Sequence, residues 1–414
     1  MAESLRVALL SYRADPRCGG QGVYVRNLSR ELRDLGHRVT VFAGPPYPEL
    51  DAGIAFEAVP SLELYLAPGP FKRRAWAHIR TRTDVLEFWE MMGGRFPEPL
   101  TFGRRMRDRL RARPGEFDVV HDNQSLGHGL ADLAADGIPV VATIHHPIHV
   151  DLEVALVGVE DERFRTAIRR WYAFAEMQAA VAPQLTRLLT VSESSRRDIA
   201  RHLHVPEAQV HVVHNAVDVA RWVPRPGIVR RPGRIITTAS ADVPLKGLTH
   251  LLEAVAKVRT ERDVELVVVG RLNELGPTAE AIDRLGVRDA VTFTHGITDD
   301  EFVDLYATAE LAAVPSLYEG FSLPAAEAMA CGVPLVATTG GAVPEVVGPD
   351  GEAALLVPPA DAGALAAAMV ELLDDPARRE RMGAAGRRRA VERFSWSRAA
   401  RETVAHYRAA LLRT

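Results

Sequence analysis

Two acids, Glu319 and Glu327, stand eight residues apart in the stretch VPSLYEGFSLPAAEAMACGVPLVAT, with Gly-Phe-Ser-Leu-Pro between them. The pattern predicts one carboxylate in a loop and the other about a turn into the helix that follows. Free amides and the dipole at such a helix N-terminus favour phosphate. A carboxylate beyond them suits the hydroxyls of a sugar or ribose, to which it offers only acceptors. Glu319 can then serve a sugar and Glu327 a ribose. The run AAEAMA reads as a buried face, where an unpaired acid is costly without a task. Lys246, held between Pro244 and Gly247 in PLKG, supplies a cation just before another helix.

More groups of this kind follow short aliphatic runs. Gly270 and Arg271 come after Val269, His295, Gly296 and Ile297 after Thr294, and Thr338 to Gly341 after Ala337. Open parallel sheets bind ligands at the carboxyl ends of their strands. Cations, amides and carboxylates gathered on one rim suit a nucleotide diphosphate joined to a sugar. A nicotinamide site near Gly20-Gln21-Gly22 is excluded on three counts: the loop from Ser11 is too long, Tyr24-Val25 offers no third glycine, and the second strand ends in Phe42-Ala43-Gly44 rather than an acid. A glycine-rich helix start able to face an anion remains.

These groups need strands to position them, and the chain alternates aliphatic runs with helix-period segments. Strands are expected at Leu5–Ser11, up to Ala43, and at Val119–His121, Val140–Ile144 and Leu188–Val191. The pattern restarts with Arg234–Thr238, Val264–Val269, Val291–Thr294, Leu311–Val314 and Pro334–Ala337. Helices are expected at Gly20–Leu35 and after Ser192, an N-cap. Alternation of this kind gives parallel, doubly wound sheets. The 414 residues allow two domains: 1–215, completed by a terminal helix at about 396–414, and 216–395. Apolar residues at 47% can fill both cores. A net charge of −4 gives no field for nucleic acid. Two cysteines, Cys18 and Cys331, fit a reducing compartment. The short apolar run near the start is too short for a signal peptide, and there is no run of 18 apolar residues. A cytoplasmic location is expected. Phe71 to Arg113 breaks the pattern, with twelve Lys/Arg against five acids among Trp76, Phe88, Trp89 and Phe96. It reads as a solvated helical insertion, or as a surface for an anionic acceptor or the inner membrane face.

EGFSLPAAE resembles the E-x7-E motif of the retaining family-four glycosyltransferases, which have the GT-B fold of two Rossmann-like domains facing a cleft. GGQGVYVRNLSRELRDLGHRVTVFA, TIHHP, TVSESSRRDI, VHNAVD, PLKG and GGAVPEVV follow in the family's order. ERFSWSRAARETVAHYR is similar to its terminal crossover helix, so the resemblance covers almost the whole chain. It implies that Lys246 neutralises the donor diphosphate, that Glu319 binds donor-sugar hydroxyls and that Glu327 binds the ribose. It further implies that the amides of Phe321, Ser322 and Leu323 face sugar and phosphate, and that His145 reaches the donor sugar. Gly19 and Gly20 would approach phosphates or acceptor, and the backbone at Gly296 and Ile297 would read the base. His121 and His146 read as structural.

Three departures stand out. The family's Arg about five residues before the Lys is replaced by Ser240 or Ala241, with Arg271 as a candidate substitute. Asn-Gly-Val-Asp becomes Asn215-Ala-Val-Asp218, and the second glycine of Gly-Phe-Gly is Ser322. The Asp-x-Asp metal motif is absent from the sequence, so metal-free neutralisation is the expected mechanism and no cofactor is expected. The partners expected are a nucleotide-sugar donor and an acceptor that is lipid-linked or anionic, with a homodimer left open. The alternatives are a nucleotide-sugar epimerase and a non-catalytic nucleotide-sugar-binding protein.

Overall fold

Thirteen short strands, all parallel to their neighbours, build two separate sheets in the computed structural model, which describes residues 3–16, 20–65, 73–239 and 243–412. Unit one comprises Met1–His214 with Trp396–Thr414, and unit two comprises Asn215–Ser395.

The strands of unit one are β1 (Arg6–Ser11), β2 (Arg38–Ala43), β3 (Ala55–Ala58), β4 (Val119–Asn123), β5 (Val140–Ile144), β6 (Arg187–Thr190) and β7 (Val210–Val212), ordered β3-β2-β1-β4-β5-β6-β7. Unit two has β8 (Arg234–Thr238), β9 (Glu265–Val269), β10 (Val291–Thr294), β11 (Leu311–Val314), β12 (Leu335–Thr338) and β13 (Ala354–Val357), ordered β10-β9-β8-β11-β12-β13. Both are doubly wound Rossmann-like sheets, as expected from the strand–helix alternation.

The central strands are buried on both faces: β4, β5, β11 and β12 are buried throughout. That is why they read as continuous aliphatic runs. Three strands escaped the sequence reading. β3 is largely exposed at a sheet edge, β7 has three residues, and β13 lies beyond the last run read as a strand.

Ser192 caps the Glu193–Leu203 helix, its hydroxyl accepting from the Ser195 amide. The last helix, Trp396–Leu411, packs against the Gly20–Asp34 helix through a buried face of Trp396, Ala400, Val404 and Tyr407. The Tyr407 hydroxyl lies 2.6 Å from His121 Nδ1, and Thr143 Oγ1 lies 2.8 Å from His121 Nε2. His121 is fully buried between these two partners, while His146 is partly exposed and bonded locally to Asp151 at 2.9 Å.

Many cations of the basic insertion are neutralised locally. Arg105 pairs with Asp84 and Glu87, Arg107 with Asp132, Arg111 with Asp136, and Arg113 with Glu57 and Glu116. Several of these acids lie outside the insertion, so counting charge along the segment overstated its field. Trp76 and Trp89 are exposed, at 58% and 60%. No helix among the described residues is long and apolar enough to cross a membrane.

Candidate active site

The strand order of unit two reverses between β8 and β11, which places the loops that follow these two strands side by side at a topological switch point. Lys246 belongs to the first loop and Glu319 to the second. Leu317 N–H donates to Leu245 O at 2.8 Å. Gly247, at φ +63°, lies so close that a Cβ there would stand 2.0 Å from Pro315 O. Glycine is required by both conformation and space. The third loop, after β12, closes over the second. A Cβ on Gly341 would stand 2.3 Å from Glu319 O, and Ala342 N–H donates to that oxygen at 2.8 Å.

Within this frame Lys246 Nζ donates to Glu319 Oε1 at 2.9 Å, and Ser316 Oγ donates to the same oxygen at 2.7 Å. The two groups assigned separate tasks are thus partners of each other. Glu319 is buried and Lys246 half-buried. Glu319 Oε2 accepts nothing among the described residues, which leaves an oxygen for a sugar hydroxyl. Ser316, two residues past β11, was missed by sequence reasoning, because nothing in a lone serine signals that it will orient a carboxylate.

Ser322 is the N-cap of the Leu323–Ala330 helix and takes φ +83°, the left-handed region. The serine that stands at the second glycine of Gly-Phe-Gly is therefore strained. The amides of Phe321, Ser322 and Leu323 donate to nothing among the described residues, and the buried Ser322 hydroxyl has no partner there either. Free amides with an orphaned hydroxyl make a cradle for an anion. Phe321 is buried edge-to-face against Phe394, which fixes the loop from beneath.

Glu327 lies one turn further along this helix and makes no hydrogen bond or ion pair among the described residues. Burial pushes its carboxyl up to about 8. Burial, and after it the Glu327 carboxylate when ionised, raises the Tyr306 hydroxyl and the Cys331 thiol. An acid held this way lacks a partner that ribose hydroxyls would supply.

The remaining candidates are less tightly gathered. Arg271 is exposed just past β9, without an acidic partner among the described residues. Gly296, at φ +69° in an open turn, and Ile297 follow β10, the edge strand of the sheet. Gly20 is the exposed first residue of the Gly20–Asp34 helix, while Gly19, Ser240 and Ala241 lie outside the described residues.

His145 follows β5 in unit one and is half-buried. Asn123 Nδ2 donates to Ser11 Oγ at 3.2 Å and Gln21 O at 3.4 Å, so its Oδ1 must be the acceptor facing His145 Nε2 at 2.8 Å. His145 therefore carries its proton on Nε2, and Nδ1 is an acceptor. Burial, then repulsion from His146, lowers its pKa to about 3, so the ring is neutral. Asn123, at the end of β4, was also missed: its role follows from adjacency to β5, which the sequence does not print.

A doubly wound pair of sheets, with a cation, free amides and two carboxylates at one switch point, defines a nucleotide-sugar glycosyltransferase. Residues 228–389 match the family model for glycosyl transferases group 1, and residues 18–221 match that for glycosyltransferase family 4. The chain belongs to the family-four glycosyltransferases of the GT-B fold. It is 53% identical over 410 residues to an MMP alpha-(1->4)-mannosyltransferase of Mycolicibacterium hassiacum, covering 99% of both chains. It is 30% identical to a D-inositol 3-phosphate glycosyltransferase of Kineococcus radiotolerans, over 98% of this chain and 95% of the relative. Among solved structures it resembles sucrose-phosphate synthase from Thermosynechococcus elongatus, at 23% identity and a TM-score of 0.75. That match covers 99% of this chain and 100% of the other.

Proposed function

We propose that this chain is a retaining, metal-independent mannosyltransferase that moves mannose from a nucleotide-diphosphate donor to the 4-hydroxyl of a sugar acceptor. Full-length identity of 53% to the alpha-(1->4)-mannosyltransferase carries this reading. The inositol-phosphate relative is far less similar, so a neutral sugar hydroxyl is favoured over an anionic acceptor.

The rim supports a mechanism in which the donor diphosphate takes the place of Glu319 as partner of Lys246. The amides of Phe321, Ser322 and Leu323 add donors to the charge that develops on the leaving phosphate. Freed from Lys246, Glu319 accepts from sugar hydroxyls, and Glu327 accepts from the ribose diol. Arg271 would add positive charge at the phosphates, and Gly296 and Ile297 would offer backbone to the base. His145, neutral and with Nδ1 as acceptor, would take a hydroxyl of the donor sugar. As the C–O bond to the diphosphate breaks, the sugar becomes oxocarbenium-like. The acceptor oxygen attacks from the same face, and its proton passes to the departing phosphate oxygen. An α-linked donor then yields the α-linked product that the relative's name describes. Lys246 supplies the charge neutralisation that a metal would otherwise give, and no cofactor enters. We place the reaction in the cytoplasm, where sugar nucleotides are available.

The test is product analysis with GDP-mannose and a mannoside bearing a free 4-hydroxyl, with D-inositol 3-phosphate in a parallel reaction. We expect an α-(1→4) mannoside by NMR, rates unchanged by EDTA, and turnover lowered by about two orders of magnitude in Lys246→Ala. A β-linked product, EDTA-sensitive turnover or an unimpaired Lys246→Ala would overturn the mechanism. Conversion of the donor without acceptor consumption would instead indicate an epimerase.

A further inference from the structure

Unit two contains a second cavity, on the opposite edge of the sheet from the donor rim. It is lined by Arg230, which precedes β8, and by Gly332, which precedes β12. Both sit at the amino ends of the strands, whereas Lys246, Ser316 and Glu319 sit past the carboxyl ends. The cavity measures about 470 Å³, within the range of small-molecule sites.

Four arginines line it: Arg225, Arg230, Arg387 and Arg388, with no acidic residue in the wall. Arg225 is ion-paired with Asp300 at 3.0 Å and, through its Nε, with Asp304 at 3.3 Å, so the other three carry the uncompensated charge. Arg230 donates only to carbonyls among the described residues, Glu310 O at 3.3 Å and Gly332 O at 2.9 Å. The nearby Glu310 carboxylate is already taken, Oε1 by Arg379 and Oε2 by the Gly233 amide. Arg387 also donates only to carbonyls there, those of Trp222, Ala330 and Val219. Arg388 is exposed and makes no hydrogen bond or ion pair among the described residues.

Carbonyl dipoles hold the Arg230 and Arg387 guanidinium groups in place without cancelling their charge. Burial, together with Arg379, pushes the Arg230 pKa down, a sign that its positive charge is incompletely compensated. A solvated helix face would pair such groups with acids, whereas Arg230 and Arg387 have only carbonyl acceptors among the described residues, and the exposed Arg388 beside them at the cavity has spare N–H donors. Guanidinium forks match phosphate oxygens in geometry and charge. Pro224, Pro226, Ile228 and Ala307 give the rest of the wall an apolar character suited to the body of a small molecule.

We propose that this cavity is a second binding site, for the phosphate group of a small phosphomonoester such as a sugar phosphate. It is separate from the donor rim and does not depend on the reaction proposed above.

The test is calorimetric titration of the full-length protein at constant ionic strength. The probes are mannose 6-phosphate, inorganic phosphate and unphosphorylated mannose, against wild type, Lys246→Ala, Arg388→Glu and the milder Arg388→Gln. We expect saturable binding of mannose 6-phosphate that survives Lys246→Ala, is at least about tenfold weaker in both Arg388 variants, and is absent for mannose. Equal binding of inorganic phosphate would identify the ligand as the free ion, and weaker binding would identify it as the ester. No saturable binding of either phosphate overturns the proposal. So does binding that is lost in Lys246→Ala but kept in Arg388→Glu.

Discussion

Glu327 sits where ionisation is disfavoured, and this has a definite pH consequence. Burial raises its carboxyl from an ordinary value of 4.5 to about 8. Between those values the folded chain keeps a proton that the unfolded chain releases, so this group makes stability fall as pH rises through the window. Glu327→Gln removes that slope. We predict a higher melting temperature than wild type at pH 8, with little difference near pH 4.5. Ribose hydroxyls prefer the ionised acceptor, so wild-type nucleotide affinity should increase from pH 6.5 to 8.5, and the variant should bind more weakly with a flat profile. Equal melting at pH 8, or nucleotide affinity independent of this residue, would remove Glu327 from the site.

At the scale of elements, the loop that leads into the Leu323–Ala330 helix keeps a strained residue where a glycine would be relaxed. Ser322 has φ +83° and a buried hydroxyl without a partner among the described residues. A non-glycine residue in this region costs of order 1–3 kcal/mol, partly offset by the entropy glycine loses on folding. Ser322→Gly should therefore stabilise the chain by about 1 kcal/mol in urea denaturation. Its effect on turnover tells what the strain is for. If the hydroxyl contacts the donor, KM rises despite the greater stability. A destabilised Ser322→Gly would mean that the loop geometry is set by something other than backbone strain.

For the molecule as a whole, the terminal helix belongs to the unit at the other end of the sequence. Trp396, Ala400, Val404 and Tyr407 are buried in unit one, and Tyr407 is bonded to His121 beneath the sheet. Ending the chain at Ser395 exposes that face and leaves His121 Nδ1 without its partner. Calorimetry of the truncated chain should show two transitions, with the lower one assigned to unit one. The arginines at the amino edge of unit two should keep their phosphate binding in this truncation. A single unshifted transition would show that the helix contributes little to unit one.

Much of this protein is set by the order of its residues alone. Aliphatic runs buried on both faces announce β8, β11 and β12, and glycines at Gly247 and Gly341 mark turns that leave no room for a side chain. The spacing of Glu319 and Glu327 separates a loop acid from a helix acid, because helical geometry acts over a few residues. Contacts between distant segments were decided by tertiary structure. The Lys246–Glu319 pair, the Ser316 hydroxyl beside it and the Asn123–His145 bond all depend on which strands become neighbours. So does the gathering of Arg225, Arg230, Arg387 and Arg388, which are spread over more than a third of the chain. Charge read along the insertion leaves out partners for the same reason: Arg111 and Arg113 meet acids supplied by other elements. Local propensity is written in the chain, whereas electrostatic partnership is a property of space.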